Sequence, residues 1–237
     1  MRLRTNHFAI GDDAMRFIWH SIDIENYLDQ KLGGDWDSRI INYALEHIRM
    51  FNLTPNNVTS RESIKSSMRV AAPVNGNSIK TDLPFLDDLY RQEFLDLARA
   101  ATNLNVVIAK EQIYAINLNI QVGKKMHYEC HVDSNPIQGM LYVTTHKPEE
   151  GGELVVANHL NAKSISDVDK DCIRIYPKRG LLVFFDARKH AHYVPPLRSA
   201  NATRVAVAMN FYTPESPEDS RPPDLSKHLG LVQGASI

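Results

Sequence analysis

The sequence predicts an α+β fold, a helical first half followed by an antiparallel sheet that closes, or nearly closes, into a barrel such as a jelly roll. Three observations predict it. Up to about residue 110, apolar residues recur at helical spacing; after about Glu111 the period drops to two; and turn-forming residues separate the later apolar runs. The 237 residues are expected to form a single domain: 1–110 as mainly helical support, 111–215 as the strand-built core, and 216–237 as a polar, loosely held tail.

The first helix is expected from Asp12 to about Leu32, where Ala14, Phe17, Ile18, Ile22 and Tyr27/Leu28 share a face and Gly33-Gly34 ends it. A second, Trp36 to Phe51, places Ile40, Ile41, Ala44, Leu45 and Ile48 on one stripe. Trp19 and Trp36 fall on these helix faces. Thr59-x-x-Glu62 has the form of a capping box and predicts a short helix ending before Pro73. Pro84 suits a first helical turn, and Leu86, Leu89/Tyr90, Phe94, Leu97 and Ala98/Ala101 continue that face. Strands are then expected at Tyr114–Gln121, Gly139–Thr145, Glu153–Ala157, Gly180–Phe185 and Val205–Tyr212. Val122-Gly123, Ser134-Asn-Pro136, Glu150-Gly-Gly152, Pro177-Lys-Arg-Gly180 and Pro195-Pro196 supply the turns.

Composition narrows the function. A net charge of −1 provides no general attraction for nucleic acid. The start lacks an apolar leader and no run approaches eighteen apolar residues, so membrane spanning and secretion are not expected. Two cysteines, Cys130 and Cys172, make no disulfide framework, and a reducing cytoplasmic location is the expectation. Ten histidines against two cysteines point to imidazole and carboxylate as the donors for any metal.

His131-Val-Asp133 lies in a strand-like stretch, where residues i and i+2 face one side roughly 7 Å apart. A third donor must come from elsewhere, and Phe184-Phe-Asp-Ala-Arg-Lys-His190-Ala-His192-Tyr-Val-Pro-Pro provides it at the end of an apolar strand. Two histidines and a carboxylate on one face of a metal form the triad of non-haem Fe(II) oxygenases; Zn²⁺ accepts the same donors. By itself His-x-Asp is a common spacing, and His127-x-Glu129 repeats it. The order of the following pieces adds weight: Gly151-Gly-Glu-Leu154, Pro177-x-x-Gly180-x-Leu-x-x-Phe184, His192-Tyr-Val-Pro-Pro, then Arg204 opening another strand.

From about Tyr114 to Tyr212 this ordered set resembles the 2-oxoglutarate/Fe(II)-dependent oxygenase superfamily, closest to its prolyl-hydroxylase-like branch. The resemblance implies a double-stranded β-helix, with His131, Asp133 and His192 as iron ligands and Arg204 pairing with the far carboxylate of 2-oxoglutarate. His192 is preferred to His190 because Tyr-Val-Pro-Pro follows it. It further implies Fe(II), 2-oxoglutarate and O₂ as cofactor and co-substrates, with succinate and CO₂ released as an unactivated C–H bond is hydroxylated.

The stretch from His131 to His146, with Glu150-Gly-Gly-Glu-Leu-Val-Val-Ala-Asn158, is also similar to radical halogenases that act on free lysine and related amino acids. Those enzymes carry Gly at the position of Asp133 and bind chloride there. The carboxylate of Asp133 implies a hydroxylase instead, acting on a lysine-like free amino acid. Arg69, Tyr128, Ser134 and Asn210 are the candidate substrate contacts. Bland roles stand beside these: a turn residue for Asp133, a strand-edge ion pair for Arg204, a surface position for Arg69, core packing for Tyr128 and a structural hydrogen bond for Asn210. Glu129 suits either a substrate amine or solvent, and Cys130 is expected to point away from His131. Alternative functions are the same chemistry on another metabolite or a peptidyl residue, a cupin-like metal hydrolase or isomerase, and a silent metal-binding module.

Overall fold

The computed structural model describes residues 3–4, 17–53, 59–61 and 68–221. In chain order the elements are β1 (Leu3–Arg4), β2 (Trp19–Asp23), α1 (Glu25–Leu32), α2 (Trp36–Glu46), β3 (Arg49–Leu53), β4 (Met68–Ala72), α3 (Gly76–Asp82) and α4 (Pro84–Leu89). A π-helical turn, Tyr90–Phe94, leads into α5 (Leu95–Thr102), followed by β5 (Val107–Ile108), α6 (Gln112–Ala115), β6 (Ile116–Val122), β7 (Tyr128–His131) and β8 (Ile137–Tyr142). The chain continues with β9 (Leu154–Ala157), α7 (Ile165–Val168), β10 (Cys172–Ile175), β11 (Leu181–Phe185), β12 (His192–Val194) and β13 (Thr203–Tyr212).

The strands form two main antiparallel sheets. The larger runs β1-β2-β11-β8-β13, with β6 and β5 following one another along the far edge of β13. The smaller runs β10-β9-β12-β7. Together they are consistent with a double-stranded β-helix core. β13 shows why the sheets separate two interiors. Val205, Val207, Met209 and Phe211 pack among the helices, while Ala206 and Ala208 face Leu154, Val156 and Val194 of the smaller sheet. Period-two alternation thus serves two buried faces, one apolar throughout and one that also carries the polar groups of the site.

The expected strands of the second half are present within a few residues. The first half holds more strand than its spacing predicts. Trp19 to Asp23 is not helix: its ladder runs along β11, with Phe184 opposite His20 and Phe185 opposite Trp19. His20 and Ile22 are buried there, so the same letters that fit a helical stripe also alternate correctly for a strand, and the open edge of β11 decides between them. Trp19 therefore sits on a strand; Trp36 does sit on a helix, its Nε1 donating to Asp29. Helix α1 starts only at Glu25 and does end at Gly33, whose φ of 90° stops it. Residues 12–16 of the expected first helix lie outside the described residues.

Helix α2 ends at Glu46, and Arg49–Leu53 instead pairs with Met68–Ala72. The alternation in Arg-Met-Phe-Asn-Leu sends Phe51 and Leu53 toward a cavity, which a helix could not do. Thr59 does not open a helix within the described residues. Ser60 forms a bridge with His131, Arg61 N–H donates to Cys130 O at 2.6 Å and Val132 N–H donates to Thr59 O at 3.0 Å. Glu62 lies outside the described residues. The tail is also held more firmly than expected as far as Arg221. Glu218 is buried and accepts the backbone N–H groups of Lys110 and Glu111, and the Arg221 guanidinium lies 3.8 Å from the centre of the Tyr114 ring. Residues 222–237 lie outside the described residues. Among the described residues no helix is long and apolar enough to cross a membrane.

Candidate active site

A cavity of about 170 Å³ opens between the sheets, and His131, Asp133, His192 and Arg204 all line it. β7 and β12 lie side by side with His131 opposite His192, so the two rings stand 4.4 Å apart. Asp133 follows the end of β7, where its N–H donates to Ala187 O at 2.9 Å. Its carboxylate lies 3.3 Å from His131 Nε2 and 3.6 Å from His192 Nε2. One donor atom from each of the three falls within 4.8 Å of the others, and among the described residues this is the one such group of metal-binding side chains.

The donor set fits a divalent metal in detail. His131 Nδ1 bonds the Glu129 carbonyl at 2.6 Å and His192 Nδ1 bonds the His190 carbonyl at 3.1 Å. Each carbonyl can only accept, so both Nδ1 atoms carry a proton and both Nε2 atoms are turned toward Asp133. Burial opposes a charge on His131, yet Asp133 and Glu129 hold its pKa up at about 9. Burial, then the neighbouring His131, push His192 down to about 4. Two imidazole nitrogens and one carboxylate thus converge in a donor set that suits a divalent metal.

His190 is fully buried and its Nδ1 bonds Ala157 O at 2.7 Å, outside the three-residue group. His127 and Glu129 line the cavity, and Glu129 accepts a hydrogen bond from Ser60 at 2.8 Å. Cys130 faces the other way, packed in a cluster with Val155, Ala157 and Ala191.

Arg204 is completely buried, and none of its three guanidinium nitrogens has a hydrogen-bond partner among the described residues. The strand-edge ion pair with Glu153 or Asp186 is therefore not made; Glu153 pairs with Arg174. A desolvated cation without an anion is costly, and a cavity beside it is where the anion belongs. Gln121 stands opposite Arg204 on β6 and its Oε1 is also without a partner, while Tyr142 presents its ring 5.3 Å from the guanidinium and has an unpartnered hydroxyl. Sequence reasoning missed Gln121 and Tyr142. The signal available was parity, since Gln121 pairs with Arg204 and Tyr142 pairs with Ala206, two residues along the same face of β13.

Of the expected substrate contacts, Tyr128, Ser134 and Asn210 line the cavity. The Tyr128 hydroxyl donates to Ile120 O at 3.2 Å, and burial pushes its pKa up to about 12. Asn210 Nδ2 donates to Tyr114 O at 2.6 Å, which leaves its Oδ1 for other partners. Arg69 lies on β4 opposite Asn52.

Two facing antiparallel sheets thus enclose a His-carboxylate-His group and a buried arginine, a donor set that suits a divalent metal beside an anion. Residues 116–212 match the family model described as the 2OG-Fe(II) oxygenase superfamily. The family uses Fe(II), 2-oxoglutarate and O₂, and His131, Asp133 and His192 are the corresponding candidate triad.

The structure is similar to AviO1 from Streptomyces viridochromogenes Tue57, with 18% identity, a TM-score of 0.59, and coverage of 85% of this chain and 92% of that one. It is also similar to a prolyl hydroxylase from Trichoplax adhaerens in complex with a hypoxia inducible factor peptide fragment, with 15% identity, a TM-score of 0.56, and coverage of 86% and 87%. A third relative is SnoN, a non-heme alpha ketoglutarate dependent epimerase from nogalamycin biosynthesis, with 10% identity, a TM-score of 0.56, and coverage of 84% and 78%. At such identities the likeness is one of fold. Among curated protein sequences, none matches this chain.

Proposed function

We propose that this chain is an Fe(II)- and 2-oxoglutarate-dependent dioxygenase that hydroxylates an unactivated C–H bond of a free, lysine-like amino acid, with succinate and CO₂ as co-products. The observation that carries the reading is Arg204, a buried guanidinium without an anionic partner in the same cavity as His131, Asp133 and His192. A dicarboxylate co-substrate meets both needs at once, a carboxylate for the arginine and oxygen donors for the metal.

Iron bound between the three side chains supplies the redox chemistry with O₂ and 2-oxoglutarate. The chain's own residues do the rest. His131 and His192 present Nε2 because backbone carbonyls hold their Nδ1 protons, and Asp133 fills a third position with oxygen. That carboxylate is the reason to favour hydroxylation, because the radical halogenases that the sequence resembles carry Gly at this position. Arg204 would take the far carboxylate of the co-substrate, the Tyr142 hydroxyl could donate to the same carboxylate, and Gln121 Oε1 could accept only from the guanidinium. Phe185, Leu154 and Val70 line the cavity and keep water from the reacting carbon. Ser134, Tyr128, Asn210 and Arg69 contribute to holding a small-molecule substrate. In this reading residues 1–237 work as one cytoplasmic domain, with neither nucleic acid nor membrane as a partner.

The test is anaerobic reconstitution with Fe(II) and 2-oxoglutarate, then O₂, across a panel of free amino acids. The expected result is succinate formation stimulated by one of them, which gains one oxygen atom. Failure of every amino acid to stimulate turnover removes the substrate assignment. Absence of any succinate that depends on Fe(II) and 2-oxoglutarate removes the oxygenase itself.

A further inference from the structure

Five carboxamide side chains line the cavity, and their hydrogen bonds divide them into two sets. Asn135 Nδ2 donates to Ile137 O and Gln138 Oε1, Gln138 Nε2 donates to Gly139 O, and Asn210 Nδ2 donates to Tyr114 O. These three are fastened into the wall. Asn117 and Asn119 line the same cavity, yet no side-chain hydrogen bond joins either of them to a described residue.

Their placement follows from β6. Ile116, Leu118 and Ile120 are fully buried among the helices, so Asn117 and Asn119 must face the opposite way, into the space between the sheets. Two such residues start roughly 7 Å apart on one strand. Their neighbours across the ladder are Ala208 and Ala206, whose methyl groups leave both amides room to reach inward. Two residues further along the same face stands Gln121, opposite Arg204. The amides therefore sit next to the co-substrate end of the cavity without belonging to it.

We propose that Asn117 and Asn119 form the subsite for the α-ammonium and α-carboxylate groups of a free amino acid substrate, an inference that rests on the oxygenase reading above. Each primary amide offers two N–H donors and one carbonyl acceptor. Nδ2 donates to the carboxylate and Oδ1 accepts from the ammonium, so an uncharged pair serves a zwitterion without preferring a net charge. An amino acid within a peptide has neither group, and the subsite selects against it.

The test measures binding before turnover. The full chain, loaded anaerobically with Fe(II) and 2-oxoglutarate, is titrated calorimetrically with free L-amino acids and with their N-acetyl amides as probes. Asn117→Leu, Asn119→Leu and the near-isosteric Asn119→Asp are compared with wild type, and circular dichroism verifies folding. The expected result is that a free amino acid binds and its doubly blocked form does not. Each Leu variant should weaken that binding about tenfold or more, the effect of losing hydrogen bonds to charged groups, while 2-oxoglutarate affinity shifts less than about twofold. Asn119→Asp should also weaken it, because a carboxylate repels the substrate's own. Equal binding of the blocked form, or Leu variants with unchanged amino acid affinity, overturns the subsite and leaves the hydroxylase reading intact. Leu variants that lose 2-oxoglutarate instead overturn it by placing the amides on the co-substrate. Binding of no free amino acid overturns it as well, and Fe(II)-dependent succinate formation then shows whether the oxygenase reading survives.

Discussion

Arg204 stands directly opposite Gln121 across the β6–β13 ladder, and each carries a buried polar atom without a hydrogen-bond partner among the described residues. A folded chain tolerates such a pair at a cost to its own stability.

Replacing the cation should therefore separate function from stability. Arg204→Met is expected to raise KM for 2-oxoglutarate by about tenfold to a hundredfold, the scale of a charge-assisted bidentate contact. The same variant, without co-substrate, should melt at or above the wild-type temperature, because a buried unpaired charge has been replaced by apolar packing. Steady-state kinetics and thermal melts check the two halves. A variant that keeps its 2-oxoglutarate KM contradicts the assignment of Arg204.

Asp133→Gly removes one oxygen donor from the three-residue group. Hydroxylation should fall by more than the roughly 10–100-fold that loss of an outer-shell partner brings. Product analysis with and without chloride is the measurement. Full hydroxylation without halide is incompatible with Asp133 as a ligand.

Divalent metal should stabilise the fold by mass action, since the three donors converge only when the chain is folded. Mn²⁺ or Fe²⁺ at about 100 times its Kd should add roughly 2.7 kcal/mol, seen as a higher melting temperature. The shift should disappear in Asp133→Ala. An equal shift in that variant places the metal elsewhere.

Arg179 ties α1 and α2 to the turn before β11. It reaches Glu25, Asp29 and Asp37 at 3.0, 2.7 and 2.8 Å, and its guanidinium lies 4.7 Å from the Trp36 ring centre. The Arg179 hydrogen bond holds the Asp29 carboxyl below its ordinary value of 3.8. A depressed carboxyl contributes stability that is full above the unfolded value and fades as pH falls through the folded one. Arg179→Ala should lower the melting temperature at pH 7 by a few degrees, roughly 2–4 °C per kcal/mol lost. The difference from wild type should shrink below about pH 4. Melts across pH check it, and a constant difference would count against the ion pairs as its source.

Gly151 and Gly152 explain in physical terms why the motif before β9 is written with two glycines. Both have positive φ, 76° and 78°; a Cβ on Gly151 would lie 2.3 Å from Pro196 O, and one on Gly152 would lie 3.2 Å from Arg204 Cδ. Gly151→Ala should destabilise the fold by more than about 1 kcal/mol from backbone conformation alone, with the clash added. Chemical denaturation measures it, and a neutral effect contradicts the close approach.

The legible parts of this chain were those where one pattern has one meaning. His131, Asp133, His192 and Arg204 could be picked out because their order along several strands is restrictive, although nothing in the letters says that Arg204 lacks an ion-pair partner. Trp19–Asp23 was read as helix because Ile18 and Ile22 suit a helical stripe while His20 and Ile22 suit a strand, and only the distant β11 selects one. The polar positions of β6 carry less information in the sequence. Alternation shows that Asn117 and Asn119 share a face but not that this face is the interior. The packing of Leu118 and Ile120 among the helices is what turns Asn117 and Asn119 inward. Tyr142 lay within an apolar run that gave its hydroxyl no distinction.

The short pairing of Thr59–Arg61 with the strand bearing His131 has a consequence for how the molecule behaves in company. β7 lies at the border of its sheet, where open N–H and C=O groups invite a neighbouring molecule to add a strand. Three residues from the chain's own first half already sheathe that border, at Cys130, His131 and Val132. That border is thereby paired within the chain itself at the residues on which its candidate metal site is built.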